Sequence, residues 1–90
     1  MNRSIITVVV KDGVGIIAKI CAYLADNKIN ILDITQTIVS DFFNMMMICD
    51  ASTSDKDFQA LAKELEEIGD SINCIIKIQR EEIFYKMQRI

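Results

Sequence analysis

The stretch VKDGVGII, residues 10–17, joins a run of β-branched residues to a segment with helical periodicity. The preceding run SIITVVV, residues 4–10, is mostly apolar on both faces, which is typical of a central strand. Gly13 and Gly15 permit a tight turn, because glycine adopts positive φ at no steric cost. From Val14 onward the apolar residues recur at helical spacing. The stretch therefore predicts a strand, a glycine turn and a helix that buries one face.

Two further apolar runs follow, at residues 31–39 and 43–51, separated by the turn residues Ser40 and Asp41. The simplest interpretation is an antiparallel hairpin. The first run alternates, and we expect one of its sides to face the core. That side carries Leu32, Ile34 and Ile38.

A second amphipathic helix is predicted after the cap residues 52–55, with its end at Gly69. Asn27 is predicted to end the first helix in the left-handed conformation. Residues 72–80 alternate as a fourth strand, in which Ile75 breaks the polar side and indicates a second covered surface.

This order of elements predicts an α+β, ferredoxin-like βαββαβ fold, an antiparallel four-stranded sheet with two helices on one face. We expect residues 1–80 to form the domain and residues 81–90 to form a C-terminal helical extension. The other sheet face, with Ile75 and Met45 or Met47, then needs a cover, because exposed apolar area is costly. We expect a second copy of the chain or the terminal helix to supply it.

The composition excludes several classes of function. The chain has 90 residues with a net charge of −3, and a phosphate backbone requires a concentrated cationic face. It contains no His, which removes most zinc sites and His-based catalysis. Its three cysteines lie in apolar runs, as buried thiols do in a reducing compartment. We therefore expect a cytoplasmic protein that needs no cofactor or metal and binds neither nucleic acid nor membrane.

Local chemistry also argues against enzymes and other functions known for this fold. No nucleophile and base are paired, no cysteine pair follows the first strand, and only Lys11 adds positive charge beside the glycine turn. An RNA-binding sheet places aromatic residues on its central strands, where we expect Ile6, Val8, Met45 and Met47. The glycine turn remains as the candidate binding site. Its backbone N–H groups at a helix N-terminus are suited to a small anion, although the glycines alone are also explained by the turn.

The motif at residues 10–17, followed by Asn27, Asn30-Ile31 and Asp33, resembles the ACT domain, a small amino-acid-sensing module of metabolic enzymes and regulators. The resemblance covers residues 3–80. It implies that Gly15 lets the loop close over an amino acid, that Asp12 holds polar groups of the ligand, and that Asn30 and Ile31 come from a neighbouring subunit of a homodimer. The candidate ligand-binding residues are Asp12, Gly13, Val14, Gly15, Ile16, Asn30, Ile31 and Asp33.

Two departures from the family pattern bear on function. Val10 replaces a polar residue or His found in many amino-acid-binding members, and Val14 replaces a frequent Pro. A valine side chain forms no hydrogen bond with a ligand. The chain also resembles a stand-alone member, so a signal has to reach a separate protein in trans. Two hypotheses follow: a dimeric amino-acid sensor without catalytic activity, or a protein–protein interaction module with a vestigial ligand site.

Overall fold

Four strands and two helices make up the computed structural model, which describes residues 3–11 and 15–82. In chain order they are β1 (Arg3–Lys11), α1 (Ile16–Asp26), β2 (Asn30–Val39), β3 (Phe42–Asp50), α2 (Phe58–Ser71) and β4 (Ile75–Arg80). The sheet has the order β2-β3-β1-β4, and each neighbouring pair is antiparallel. This confirms the predicted ferredoxin-like fold.

The predicted C-terminal extension lies mostly outside the described residues, since only Glu81 and Glu82 are included, both helical. In the part of the chain that is described, no helix is both long and apolar enough to cross a bilayer.

The core lies between the helices and one face of the sheet. On that face Ile6 pairs with Met47 in β3 and with Ile78 in β4, while Val8 pairs with Met45 and Ile76. The buried helix residues that pack here are Ile16, Ile20 and Leu24 of α1 and Leu61 and Leu65 of α2. Our expectation that Met45 or Met47 faces the uncovered side is therefore wrong. Three consecutive methionines carry no alternation, and only pairing with β1 decides which ones point inward.

The opposite face of the sheet, hereafter the open face, is only partly covered. Ile75 is 58% exposed there, as its position in the sequence predicted. The central positions of β1 and β3 on this face hold Thr7, Val9, Asn44 and Met46. We expected Ile6, Val8, Met45 and Met47 there, but these four residues are buried on the helix side of the sheet. None of the residues that do occupy the central positions is aromatic, so the open face lacks stacking residues at its centre.

β2 contradicts our expectation that one of its sides is core. Leu32, Ile34 and Ile38 are 42%, 40% and 75% exposed. The physical reason is position, because β2 is an edge strand and no strand pairs with its outer side within the described residues. The register also shifts between Ile31 and Asp33, so that Leu32 is the extra residue of a bulge.

The ends of the helices differ from the prediction. Asn27 follows α1 with φ −102°, and the left-handed residue is Lys28, with φ 60°. Asp57 caps α2, rather than a residue of the 52–55 segment, and its carboxylate accepts a hydrogen bond from the Ala60 N–H at 2.8 Å.

Gly69 does not end α2, which continues to Ser71. A Cβ on Gly69 would lie 2.8 Å from the carbonyl oxygen of Cys74, and Cys74 N–H donates to the Gly69 carbonyl at 2.9 Å. The glycine is therefore explained by the close approach of α2 to the start of β4, and the positive φ in this connection belongs to Asn73.

The cysteines behave as core residues. Cys49 and Cys74 are buried, whereas Cys21 is half-buried. Burial, together with the neighbouring Cys21 thiol, raises the pKa of Cys49 to about 11, and burial also raises the pKa of Cys74. Because the thiolate is the reactive form, Cys49 and Cys74 have the environment of inert thiols.

Candidate functional site

Gly15 is the residue that turns the chain from β1 into α1. It precedes the first residue of the helix and adopts φ 81°, in the left-handed region that glycine occupies without strain. A Cβ built on Gly15 meets no atom of the described residues within 4 Å. The glycine is thus required by its backbone conformation, and no described residue fills the space beside it.

The first turn of α1 offers backbone donors to a ligand. Among residues 3–11 and 15–82 no side chain caps this end of the helix, and no acidic residue lies in its first turn. Its N–H groups carry the positive end of the helix dipole, which favours a carboxylate or another anion. Ile16 is buried in the core, so it presents only its backbone here. Asp12, Gly13 and Val14 lie outside the described residues.

The second group of candidate residues lies at the start of β2. Asn30 and Asp33 are exposed and Ile31 is half-buried. One carboxylate oxygen of Asp33 accepts a hydrogen bond from the Ile34 N–H at 2.9 Å, which leaves its second oxygen available to a ligand. Asn30 and Asp33 are exposed on the edge strand beside the bulge at Leu32, whereas the Ile31 side chain packs against the core.

The two groups lie at opposite ends of the sheet within one protomer. Lys11, the last residue of β1, pairs with Phe42, while Arg3, the first, pairs with Asp50, which also pairs with Asn30. Eight residue steps along β1 span about 27 Å. One protomer therefore does not bring residue 15 and residues 30–33 together, and a site that uses both groups requires two chains.

The structure also contains a cleft that sequence reasoning did not predict. It lies near the Asn30 end of the sheet, between the first turn of α2 and the ends of β1 and β4, with a volume of about 590 Å³. Its walls include Arg3, Phe58 and Arg80. These residues come from distant segments with no common motif, so no local sequence pattern indicates that they meet.

Comparison with known proteins gives consistent results for sequence and structure. A family model described as "ACT domain" matches residues 4–70. A UPF0237 protein from Bifidobacterium longum is 57% identical over 90 residues, which is the whole of both chains. An ACT domain protein from Streptococcus pneumoniae is 40% identical with a TM-score of 0.82, and the match covers 92% of this chain and 93% of that one.

The same fold also occurs as part of larger chains. A formyltetrahydrofolate deformylase from Pseudomonas syringae matches with a TM-score of 0.81 and 22% identity. The match covers 89% of this chain but 28% of the deformylase. At this identity the likeness concerns the fold alone.

Proposed function

The chain belongs to the ACT domain family, and from that premise we propose that it is a dimeric sensor without catalytic activity that binds a small amino acid. In this proposal residues 12–16 of one copy hold the ligand, with Asp12 on its polar groups and Gly15 leaving room for it. Asn30, Ile31 and Asp33 of the second copy close the site from the other side. The ligand-bound dimer then acts on a separate protein.

The observation that supports this proposal best is the separation of the two residue groups within one protomer. If two copies pair their β2 strands antiparallel about a twofold axis centred on Ile34, Asn30 of one copy lies opposite Ile38 of the other. Ile38 pairs with Phe43, which also pairs with Val10, one residue before the end of β1. The partner's residues 30–33 thereby reach the loop end of the sheet, and the arrangement generates two equivalent sites.

The exposed edge of β2 favours such pairing. It is ten residues long and lies at the edge of the sheet, and an unpaired edge is a template for a further strand. The apolar side chains of Ile34 and Ile38 add area that a second copy would bury at about 25 cal/mol per Å². A 90-residue domain has a small core, so shared apolar surface adds to its stability.

The first turn of α1 provides the chemical complement to an amino acid. Its N–H groups and the open space beside Gly15 suit an α-carboxylate, and the free oxygen of the partner's Asp33 suits an α-ammonium group. Ligand that binds across the interface favours the dimer arrangement in which both halves meet. The ligand binds this arrangement more tightly than any other arrangement of the two chains. The difference between these binding free energies is the free energy available for regulation.

The first test is thermal unfolding of the purified protein with each of the common amino acids at millimolar concentration. A ligand present at 100 times its Kd adds about 2.7 kcal/mol, which raises the Tm of a domain of this size by roughly 10 °C. The shift should disappear in Gly15→Ala. That variant also carries backbone strain, so the relevant quantity is the difference in its Tm with and without ligand. A flat panel from a folded dimer contradicts the proposal.

A mixing experiment tests whether each site is shared between chains. Gly15→Ala and Asn30→Ala homodimers should each fail to bind, because both of their sites carry a defect. A mixed dimer has one site with both defects and one site with none. Random assortment makes half of the dimers mixed, so the mixture should recover about one quarter of the wild-type sites. A mixture that recovers no binding, although exchange of subunits is verified, excludes the shared site.

An interaction module with a vestigial ligand site is the second candidate. The tip of the β2–β3 hairpin favours it, because the paired residues Val39 and Phe42 are 62% and 49% exposed on one face and Ile38 is 75% exposed on the other. Under this hypothesis no amino acid changes the Tm, whereas Ile38→Ser weakens capture of the regulated protein. Under the sensor hypothesis the amino-acid shift is observed.

A further inference from the structure

The open face of the sheet is buried at one end and exposed at the other. Ile5, near the start of β1, is 2% exposed, whereas Ile75, at the start of β4, is 58% exposed. Both residues lie on this face, because they alternate along their strands with residues of the core. Along β4 the same trend holds, since Lys77 is exposed and Gln79 is half-buried. Burial on this face is therefore strongest where β1 begins and β4 ends.

The described residues do not supply the cover over Ile5. The core lies on the other face, between the sheet and the helices, and Ile5 does not belong to it. Its neighbours in register are Ile48 in β3 and Gln79 in β4, which lie beside it within the sheet. An antiparallel sheet without a layer above it leaves the side chains of that face partly in water. A segment outside residues 3–11 and 15–82 therefore covers Ile5.

Glu81 leads the chain onto this end of the open face. Ser4 pairs with Arg80, so the next position of β4 comes opposite Arg3, and Oε2 of Glu81 lies 3.1 Å from Nε of Arg3. Arg3 lies two residues before Ile5 and thus on the same face. Glu81 and the residue after it are helical. The ion pair therefore holds the start of the following segment beside Ile5.

Residues 83–90, hereafter the tail, have the pattern and the length to cross the face. Eight helical residues span about 12 Å, and the two strand spacings from β4 to β3 measure about 10 Å. A helix that crosses the strands from Glu81 therefore reaches over Ile5 as far as Ile48. So short a helix needs an apolar surface to be stable. The apolar residues that recur at helical spacing in the tail are Ile83, Phe84, Met87 and Ile90.

We propose that the tail packs as an amphipathic helix across the open face of its own chain, with its apolar side on Ile5 and Ile48. The same chain supplies the cover, because Ile5 is buried within a single protomer and Glu81 is held beside it. A face closed in this way leaves the edge of β2 as the surface for a second copy. The inference does not depend on the proposed function, because it uses none of the candidate ligand residues.

The reactivity of a cysteine introduced at position 5 tests this cover. Ile5→Cys is made in the full chain and in a chain that ends at Glu82, and both are treated with iodoacetamide. Tandem mass spectrometry follows position 5 separately from the three native cysteines. Because a covered thiol reacts only when the structure opens, we expect position 5 to react at least about tenfold more slowly in the full chain. Equal rates in the two chains overturn the proposal.

Ile75→Cys is the matched control for truncation, because it lies at the exposed end of the same face. It should react at one rate in the two chain lengths. Mixing then separates the chain's own tail from that of a second copy. An excess of full-length wild type, added to the truncated Ile5→Cys chain, should leave position 5 reactive. If the added chain protects position 5, a second copy supplies the cover and the proposal is wrong.

Two substitutions in the full Ile5→Cys chain keep the test valid if the truncated chain does not fold. Met87→Asp places a charge on the apolar side of the tail and should make position 5 react faster. Gln88→Asp adds the same charge at the neighbouring position, off the apolar stripe, and should leave position 5 protected. A chain in which neither substitution changes the rate does not hold its tail on the open face.

Discussion

The hydroxyl group of Tyr23 on α1 donates a hydrogen bond to Oε1 of Glu64 on α2, at 2.8 Å. The same carboxylate oxygen accepts from Nζ of Lys56, whose ammonium lies 5.7 Å from the centroid of the Tyr23 ring. Burial, together with the bond to Glu64, raises the pKa of Tyr23 well above its ordinary value. This triad ties α1, which begins at the candidate ligand loop, to the segment that lines the cleft.

We predict that Tyr23→Phe lowers the urea midpoint and leaves the m-value unchanged. The substitution removes one hydroxyl group and leaves the half-buried ring in place, so the area exposed on unfolding does not change. Equilibrium unfolding in urea measures both quantities. In a Glu64→Gln background the effect of Tyr23→Phe should be smaller, and an undiminished effect would show that the two residues do not act as a pair.

Stability should also depend on Glu64 in a pH-sensitive manner. The hydrogen bonds from Lys56 and Tyr23 hold the pKa of Glu64 below its ordinary value of 4.5. A carboxyl group whose pKa is lower in the folded state stabilises the fold above its unfolded pKa, and this contribution is lost as the pH falls through the folded pKa.

The difference in urea midpoint between wild type and Glu64→Gln should therefore be largest near pH 7. It should shrink as the pH is lowered from about 5 to 3. Midpoints measured at four or five pH values give the curve. If the difference in urea midpoint grows toward acid pH, the pKa of Glu64 is not lowered in the folded state.

Gly69→Ala should destabilise the protein although alanine is the better helix former. The added Cβ would lie 2.8 Å from the Cys74 carbonyl oxygen and 3.4 Å from Ile76, so β4 has to move away from α2. Overpacking of this kind costs about 1–3 kcal/mol. Asp70→Ala, at the exposed neighbouring position of the same helix, is the matched control and should change stability by less than about 0.5 kcal/mol. Urea unfolding of both variants decides the point.

Element order and fold class were accessible from the sequence because helical and strand periodicity alternate clearly along the chain. The glycine turn was accessible as well, since Gly15 carries the positive φ that its position implied. It was harder to predict which side of each strand faces the core. The MMM run of residues 45–47 contains no polar residue to mark the outer side, and the bulge at Leu32 changes the register of β2.

Features that depend on distant contacts escaped the sequence analysis for another reason. The need for glycine at position 69 arises from the Cys74 carbonyl, and no helix-capping pattern contains that information. The cleft likewise combines Arg3, Phe58 and Arg80 from three elements. The prediction that Leu32, Ile34 and Ile38 face the core was wrong, because the sequence pattern does not show that β2 lies at the edge of the sheet.

The methionine run provides a test of register. Met47 is fully buried on the helix side of the sheet, whereas Met46 is half-buried on the open face. Met47→Ala should cost about 2–5 kcal/mol through lost packing and the cavity that remains. Met46→Ala, the same chemical change one residue away, should cost clearly less. Equal effects in urea unfolding would mean that the open face is as well covered as the core.

The assembly prediction concerns Ile34 on the outer strand β2. Ile34→Lys places a charge at the centre of the proposed β2–β2 pairing, where its copy in the partner faces it across the twofold axis. Charged side chains on an edge strand oppose edge-to-edge association. We expect a dimer mass for the wild type and a monomer mass for Ile34→Lys, measured by light scattering at micromolar concentration.

Ile75→Lys is the matched control, because Ile75 lies on β4, the other edge strand, and is 58% exposed. It should remain a dimer, and it should still respond to the amino acid that stabilises the wild type. Ile34→Lys should lose that response, because each site then lacks the partner's Asn30 and Asp33. A monomeric Ile34→Lys that keeps the ligand response would place the whole site in one chain, and a dimeric one would move the interface away from β2.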